Sequence, residues 1–391
     1  MKEKEIIKLT DRYILPTYKR NRVVFVRGKG ANIQDVNGKR YIDFFSGLAV
    51  NNLGHCHTNI VKAIQEQASR LMHTSNLYYT RPQAILAEKL VKMAFPGKVF
   101  FCNSGAEANE AAIKLVRKWG NPERNEIITM KGSFHGRTIT TLTATGQTKY
   151  QKGFQPLAYG FKYAPFNDLK SVEKLITKRT VAIMIEPIQG EGGINIASME
   201  FINGLRQLCN EKRILLIFDE VQTGIGRTGK MFCYEHYGIK PDILTLAKAL
   251  GGGLPIGAMI ADQKLVNVFK PGTHASTFGG NPVVCAAACA VLDTIAKEGL
   301  LENAARMGNY LLDKLQMMKY RYNSIKDVRG RGLMIGVEMK FKGKKIVEKC
   351  LKNGLLLNCT AERVIRFLPP LTITRKEIDI ALQIFEEAIK K

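Results

Sequence analysis

Asp242-Ile-Leu-Thr-Leu-Ala-Lys-Ala-Leu-Gly-Gly-Gly-Leu-Pro-Ile-Gly257 carries a short apolar run into an amine and then into three glycines. Upstream, Ile214-Leu-Leu-Ile-Phe-Asp-Glu-Val-Gln222 carries a second apolar run into a carboxylate. Both read as buried strands that end on chemistry: Lys248 on one and Asp219 on the other. Working outward, the same pattern repeats. Val99–Cys102 leads to Ser104, Glu126–Met130 to Phe134, and Val181–Ile185 to Glu186, with helical spacing over 110–118 and around Gln207. Strands alternating with helices predict an α/β fold with a mostly parallel central sheet and helices on both faces. Ligands in such sheets bind beyond the carboxyl ends of the strands, so these five strand ends are expected to meet in one pocket.

A lysine among apolar residues loses its proton more easily and can attack a carbonyl. A strand-end carboxylate can keep a heterocyclic nitrogen protonated. Those are the two groups that pyridoxal phosphate requires. The rival reading is a nucleotide site, because Gly224-Ile-Gly-Arg-Thr-Gly-Lys230 has most of a phosphate-binding loop. Met231 stands where a Ser or Thr hydroxyl should meet magnesium, and the loop follows the acidic strand instead of opening a helix after its own.

The 391 residues are enough for two domains. Three regions are expected: an N-terminal segment over 1–50, a large cofactor-binding domain over 51–290, and a smaller α+β domain over 291–391. The first 50 residues hold turn signals at Gly28–Gly30 and Asn37–Gly38 and should pack with the small domain. The amino terminus lacks a signal-like apolar stretch and no apolar run is long enough to span a bilayer, which predicts a soluble, cytoplasmic protein without a membrane partner. Eight scattered cysteines predict free thiols. His55-Cys56-His57 is too local to surround an ion, so no metal is expected. The formal charge of +25 raises the question of nucleic acid, but the 59 basic residues are interleaved with 34 acidic ones and no nucleic-acid motif is present, so no such partner is expected.

Taken together, Asn52–His57, Ser75–Thr80, Phe101–Asn109, Ser133–Thr138, Phe218–Gly224, the Lys248 run, His274–Asn281 and Asn358–Ala361 closely resemble the motifs of the class III, fold-type I pyridoxal-phosphate aminotransferases. The resemblance spans nearly the whole chain and is nearest to members that act on N2-acetyl-L-ornithine. It implies pyridoxal 5′-phosphate as cofactor and Lys248 as its carrier and proton shuttle. It implies that Ser104, Gly105 and Ala106 bind the phosphate, that Phe134 and Val221 flank the ring, that Asp219 faces the ring nitrogen and that Gln222 reaches the 3′-oxygen. Arg366 is then expected to bind the α-carboxylate of glutamate or 2-oxoglutarate, with Glu186 as its partner when none is present. Arg137 is expected to hold a carboxylate of the acylated diamine, and Ser276 to lie near substrate. Thr277 is expected to serve the phosphate of the neighbouring subunit in a homodimer with shared active sites. Other class III ω-aminotransferases, acting on ornithine, 4-aminobutyrate, succinyl-diaminopimelate or a carrier-bound lysine precursor, share much of this pattern.

Overall fold

The structure, a computed structural model, describes residues 1–390. Its centre is a seven-stranded sheet. In spatial order the strands are Gly97–Cys102, Gly257–Asp262, Ile243–Leu246, Leu215–Asp219, Thr180–Ile185, Glu126–Met130 and Phe161–Ala164. Only Gly257–Asp262 runs antiparallel to its neighbours. The inner strands are buried along their whole length, as a sheet covered on both faces requires. Their side chains alternate between two apolar cores. Ile183, Ile185, Leu216 and Phe218 enter one; Ala182, Met184, Leu215 and Ile217 enter the other. The sequence reading foresaw the parallel strands but not Gly257–Asp262, whose apolar run follows a glycine-rich turn, nor the short strand Phe161–Ala164.

A second, antiparallel sheet is built from Ile325–Arg331, Met334–Met339, Val364–Phe367 and Asn358–Thr360. The long helix Leu300–Arg321 and the terminal helix Arg375–Ile389 pack with this C-terminal region. Near the amino terminus, Phe25–Lys29, Asn32–Asp35 and Arg40–Asp43 form a meander that is extended by Leu355–Leu356. An exposed helix, Glu3–Tyr13, precedes it.

The loop Gly224–Lys230 bolts the two main sheets together. Arg227 is fully buried. It donates to the carbonyl of Leu333 at 3.0 Å, to the carbonyl of Pro369, and to Asn52 Oδ1. The loop leads into a short 3-10 turn over Cys233–Tyr237 and opens no α-helix, which argues against the rival phosphate-loop reading. All eight cysteines are free thiols, and no helix among the described residues is long and apolar enough to cross a membrane.

Candidate active site

Ser104, Phe134, Glu186, Asp219 and Lys248 lie at or just beyond the carboxyl ends of five parallel strands. They line one cavity of about 450 Å³, together with Gly105, Ala106, Arg137, Glu191, Val221 and Gln222. A larger opening of about 740 Å³ lies by the N-terminal meander and contains none of them.

At one end of the cavity the helix Gly105–Gly120 begins. Ser104 caps it, its Oγ accepting from Glu107 N at 3.2 Å. A helix start leaves its first N–H groups free and carries partial positive charge, which suits a phosphate. Gly105 is required by close packing, because a Cβ there would lie 2.7 Å from Val221 Cγ1. On the floor, Asp219 is almost completely buried. Its Oδ1 accepts from Val221 N at 3.0 Å; its Oδ2 accepts from Asn109 Nδ2 at 2.7 Å and lies 2.8 Å from His135 Nδ1. Thr245 Oγ1 donates to Asn109 Oδ1 at 2.7 Å, so the strand before Lys248 and the phosphate-end helix both brace the same carboxylate. Burial disfavours the charged His135 ring, but Asp219, with Glu186 beyond it, holds its pKa above the usual value.

Lys248 sits at φ +44°, a strained position for a residue with a side chain. It is half-buried and lines the cavity. Burial lowers its pKa, opposed by the nearby carboxylate of Glu191. Arg137 projects from the rim with its guanidinium 4.3 Å from the Tyr150 ring centre and 5.6 Å from that of Phe134. Stacked by its face, it keeps its N–H edges free for a carboxylate.

Arg366 is the second cation of the site, in the strand Val364–Phe367, and is fully buried. The expected partner was Glu186; the structure places Glu191 there instead. Arg366 Nη1 donates to Glu191 Oε1 at 2.8 Å and to Gln222 Oε1 at 3.1 Å, while Nε donates to Asn358 Oδ1 at 3.1 Å. Its Nη2 is buried with no partner, so half of its fork is open. Glu186 is already engaged: its two oxygens accept from Phe134 N at 2.9 Å and Gly190 N at 3.3 Å. Burial pushes its carboxyl up to about 7. Glu191, by contrast, is held below its ordinary pKa: burial raises it, but the Arg366 guanidinium more than offsets that. Both acids stand in Glu186-Pro-Ile-Gln-Gly-Glu191, and only the chain reversal after Gln189 decides which one reaches the arginine.

Ser276 and Thr277 do not line this cavity. Asn76 Nδ2 donates to the carbonyls of Ser276 at 2.9 Å and Gly279 at 2.8 Å and draws that segment outward. Ser276 Oγ accepts from Asn103 Nδ2 at 3.3 Å, beside the phosphate end, while Thr277 is exposed. The sequence reading had assigned no part to His135, Asn109 or Glu191. His135 and Asn109 lie inside quoted motifs, one residue after Phe134 and five after Ser104. Which way such side chains point is a tertiary matter.

These residues fit pyridoxal 5′-phosphate. The helix start at Gly105 would hold the phosphate, the braced carboxylate of Asp219 would serve a ring nitrogen, and the amine of Lys248, its pKa lowered by burial, would serve the carbonyl. The site thus defines a cofactor-dependent transferase of amino groups. Residues 14–389 match the model of the aminotransferase class-III family. The chain is 51% identical over 391 residues to the acetylornithine aminotransferase of Methanocaldococcus jannaschii, covering 99% of this chain and 98% of that one. It is 50% identical over 381 residues to the acetylornithine aminotransferase of Aquifex aeolicus, covering 96% and 100%. Among solved structures, the ornithine aminotransferase of Toxoplasma gondii superposes with a TM-score of 0.96 at 35% identity, covering 100% of this chain and 95% of that one. The acetylornithine aminotransferase of Elizabethkingia anophelis gives 0.89 at 34%, covering 100% and 99%. The chain belongs to the class-III aminotransferases.

Proposed function

We propose that this chain transfers the terminal amino group of N2-acetyl-L-ornithine to 2-oxoglutarate, giving N-acetyl-L-glutamate 5-semialdehyde and L-glutamate, a step of arginine biosynthesis in the cytoplasm. Pyridoxal 5′-phosphate is the cofactor. The observation that carries this reading is a pair of arginines at one cavity: Arg137 on its lining, and Arg366 buried behind Glu191 and Gln222, which line it. An enzyme that alternates between an acylated diamine and a dicarboxylate needs both. Full-length identity of about half to acetylornithine aminotransferases supports the choice of amine over ornithine, for which the Toxoplasma neighbour is only 35% identical.

When bound, the cofactor supplies a carbonyl for amines and a ring that withdraws electrons from the carbon being deprotonated. The protein residues do the rest. Ser104 and the N–H groups of Gly105 and Ala106 hold the phosphate. Phe134 and Val221 close the two faces of the ring and exclude water. Asp219, braced by Asn109 and His135, keeps its negative charge aimed at the ring nitrogen, and Gln222 serves the 3′-oxygen. Lys248 carries the cofactor at rest; its amine then takes a proton from the substrate carbon and returns it to the neighbouring position. Arg137 forks a carboxylate of the acylated amine. Glu191 masks Arg366 during that half, then yields to the α-carboxylate of the dicarboxylate, which gains the open Nη2 as a second donor.

The working form in this reading is a homodimer with shared sites. The segment 71–80 supports it: Leu77 is 86% exposed, Tyr78 68%, and Phe278 beside them 60%. Such a cluster is costly in water and suits a second copy of the chain. Thr277 lies on this face and would meet the partner's phosphate.

The test is a set of half-reactions. The purified holoenzyme is mixed in turn with acetylornithine, ornithine, 4-aminobutyrate, succinyl-diaminopimelate and glutamate, and the shift to the amine form of the cofactor is followed spectroscopically. Fast conversion by acetylornithine and glutamate is expected; faster conversion by another amine would reassign the substrate. Borohydride should fix the cofactor to the peptide containing Lys248, and label on another lysine would refute that assignment.

A further inference from the structure

Glu191 does not stand on a strand or helix. Ile188–Gln189 and Asn195–Ile196 pair as a small hairpin, and residues 190–194 form its tip. That tip reads Gly190-Glu191-Gly192-Gly193-Ile194, and three glycines give it little stiffness of its own. It is also strained, because Ile194 has φ +57°, a region that β-branched residues avoid, with its side chain wholly buried. The hairpin closes on itself through the Ile194 N–H to the Gln189 carbonyl at 2.9 Å and the Asn195 amide to the Gly192 carbonyl at 3.1 Å, but the carbonyls of Gly193 and Ile194 point outward and need a partner that holds the tip in place.

Arg329, in the strand Ile325–Arg331 of the C-terminal sheet, is what holds it. Its Nε donates to the Ile194 carbonyl at 3.1 Å and its Nη2 to the Gly193 carbonyl at 2.6 Å. Its Nη1 donates to Asp327 Oδ2 at 3.0 Å and Glu338 Oε2 at 2.8 Å. A planar guanidinium gripped on one side by two carboxylates therefore fixes two consecutive carbonyls on the other. Thr360 Oγ1 adds a bond to the Glu191 carbonyl at 2.6 Å. No other residue type could make this set of contacts; lysine keeps the charge but not the fork.

We infer that Arg329 is a positioning residue for substrate selection: it holds the hairpin tip so that Glu191 covers Arg366 until a dicarboxylate displaces it. Arg329 acts through Glu191 and touches neither substrate nor cofactor. The inference rests on the proposed masking of Arg366. A simple bolt between two sheets would slow both half-reactions alike when loosened. A positioning residue shifts their ratio, because an uncovered Arg366 favours substrates that bring an α-carboxylate to it.

Four holoenzymes test this: native, Glu191→Gln, Arg329→Lys and the double variant. The reading is the ratio of the acetylornithine to the glutamate half-reaction at low substrate, by stopped flow. Arg329→Lys should lower the ratio by roughly threefold to tenfold, the scale of one lost hydrogen bond. The double variant should match Glu191→Gln alone. If Glu191→Gln lowers the ratio and Arg329→Lys does not, the positioning role is overturned. It is equally overturned if Arg329→Lys lowers the ratio to the same extent in both backgrounds. If Glu191→Gln leaves the ratio unchanged, the masking itself fails and takes the inference with it. Should Arg329→Lys not fold, Glu338→Gln keeps the arginine and weakens its anchor. The ratio should then fall in the same sense by a smaller factor, and an unchanged ratio would overturn the inference.

Discussion

His135 Nδ1 lies 2.8 Å from Asp219 Oδ2; the histidine is wholly buried and the carboxylate nearly so. The carboxylate proposed to face the ring nitrogen is therefore half of a buried pair, with Asn109 as a third member. Removing one partner from such a network leaves charge unbalanced in a medium that screens it poorly.

His135→Phe should accordingly weaken the site without emptying it. Loss of one charge-assisted bond is worth roughly 1.5–3 kcal/mol, or about ten- to a hundredfold in the half-reaction rate. Asn at this position keeps a donor and should recover part of the loss. Stopped-flow half-reactions of the two variants decide it; equal rates for Phe and Asn would mean that the hydrogen bond is not what matters.

The two arginines should fail in opposite directions. Arg137→Ala is expected to damage the acetylornithine half more than the 2-oxoglutarate half, and Arg366→Ala the reverse. A forked carboxylate contact is worth on the order of 2–4 kcal/mol, so each affected half should slow by about thirty- to a thousandfold. Parallel losses in both halves would argue against separate carboxylate sites.

Thr277 provides a test of the shared site. A Lys248→Ala subunit paired with a Thr277→Val subunit places both defects in one site of the mixed dimer if Thr277 serves its neighbour. The other site is then native, and about half of the wild-type activity should return at limiting cofactor. Verified mixed dimers that stay inactive would show that Thr277 acts within its own chain, and a Thr277→Val homodimer as active as the native enzyme would show that it has no part.

Glu220 predicts a pH dependence of stability. It is buried, and burial pushes its carboxyl from the ordinary 4.5 up to about 8, against the N–H groups of Cys233 and Tyr234. The folded state thus binds this proton more tightly than the unfolded chain. The stability it contributes is complete below its unfolded pKa, falls as pH rises from there, and is lost once pH has passed through the folded one. Glu220→Gln should flatten that share of the slope in thermal midpoints of the holoenzyme between about pH 5 and pH 9. At the acid end it should also lower the midpoint, because an amide N–H₂ would face a backbone N–H donor, at a cost of about 1–3 kcal/mol. An unchanged slope would mean that Glu220 is ionised across this range.

Much of the site is local enough to be written in the sequence. Lys248, Asp219, Ser104 and Phe134 each follow an apolar run, and a parallel sheet delivers the ends of such runs to one edge whatever the details of packing. The family motifs added Arg137, Arg366 and Gln222. What the sequence did not decide is which acid meets Arg366. Glu186 and Glu191 are separated by five residues, and either could be drawn toward a distant arginine. The hairpin turn sends Glu191 across to the C-terminal sheet, while the loops after two neighbouring strands close over Glu186 with their N–H groups. The same holds for His135 and Asn109, whose bond to Asp219 joins positions 84 and 110 residues apart, and for Arg227, which looked like part of a phosphate loop and is a buried bolt. Periodicity fixes which face a residue lies on; it carries no information about which polar groups from remote segments will arrive there, because that depends on how rigid layers pack once their apolar faces are buried.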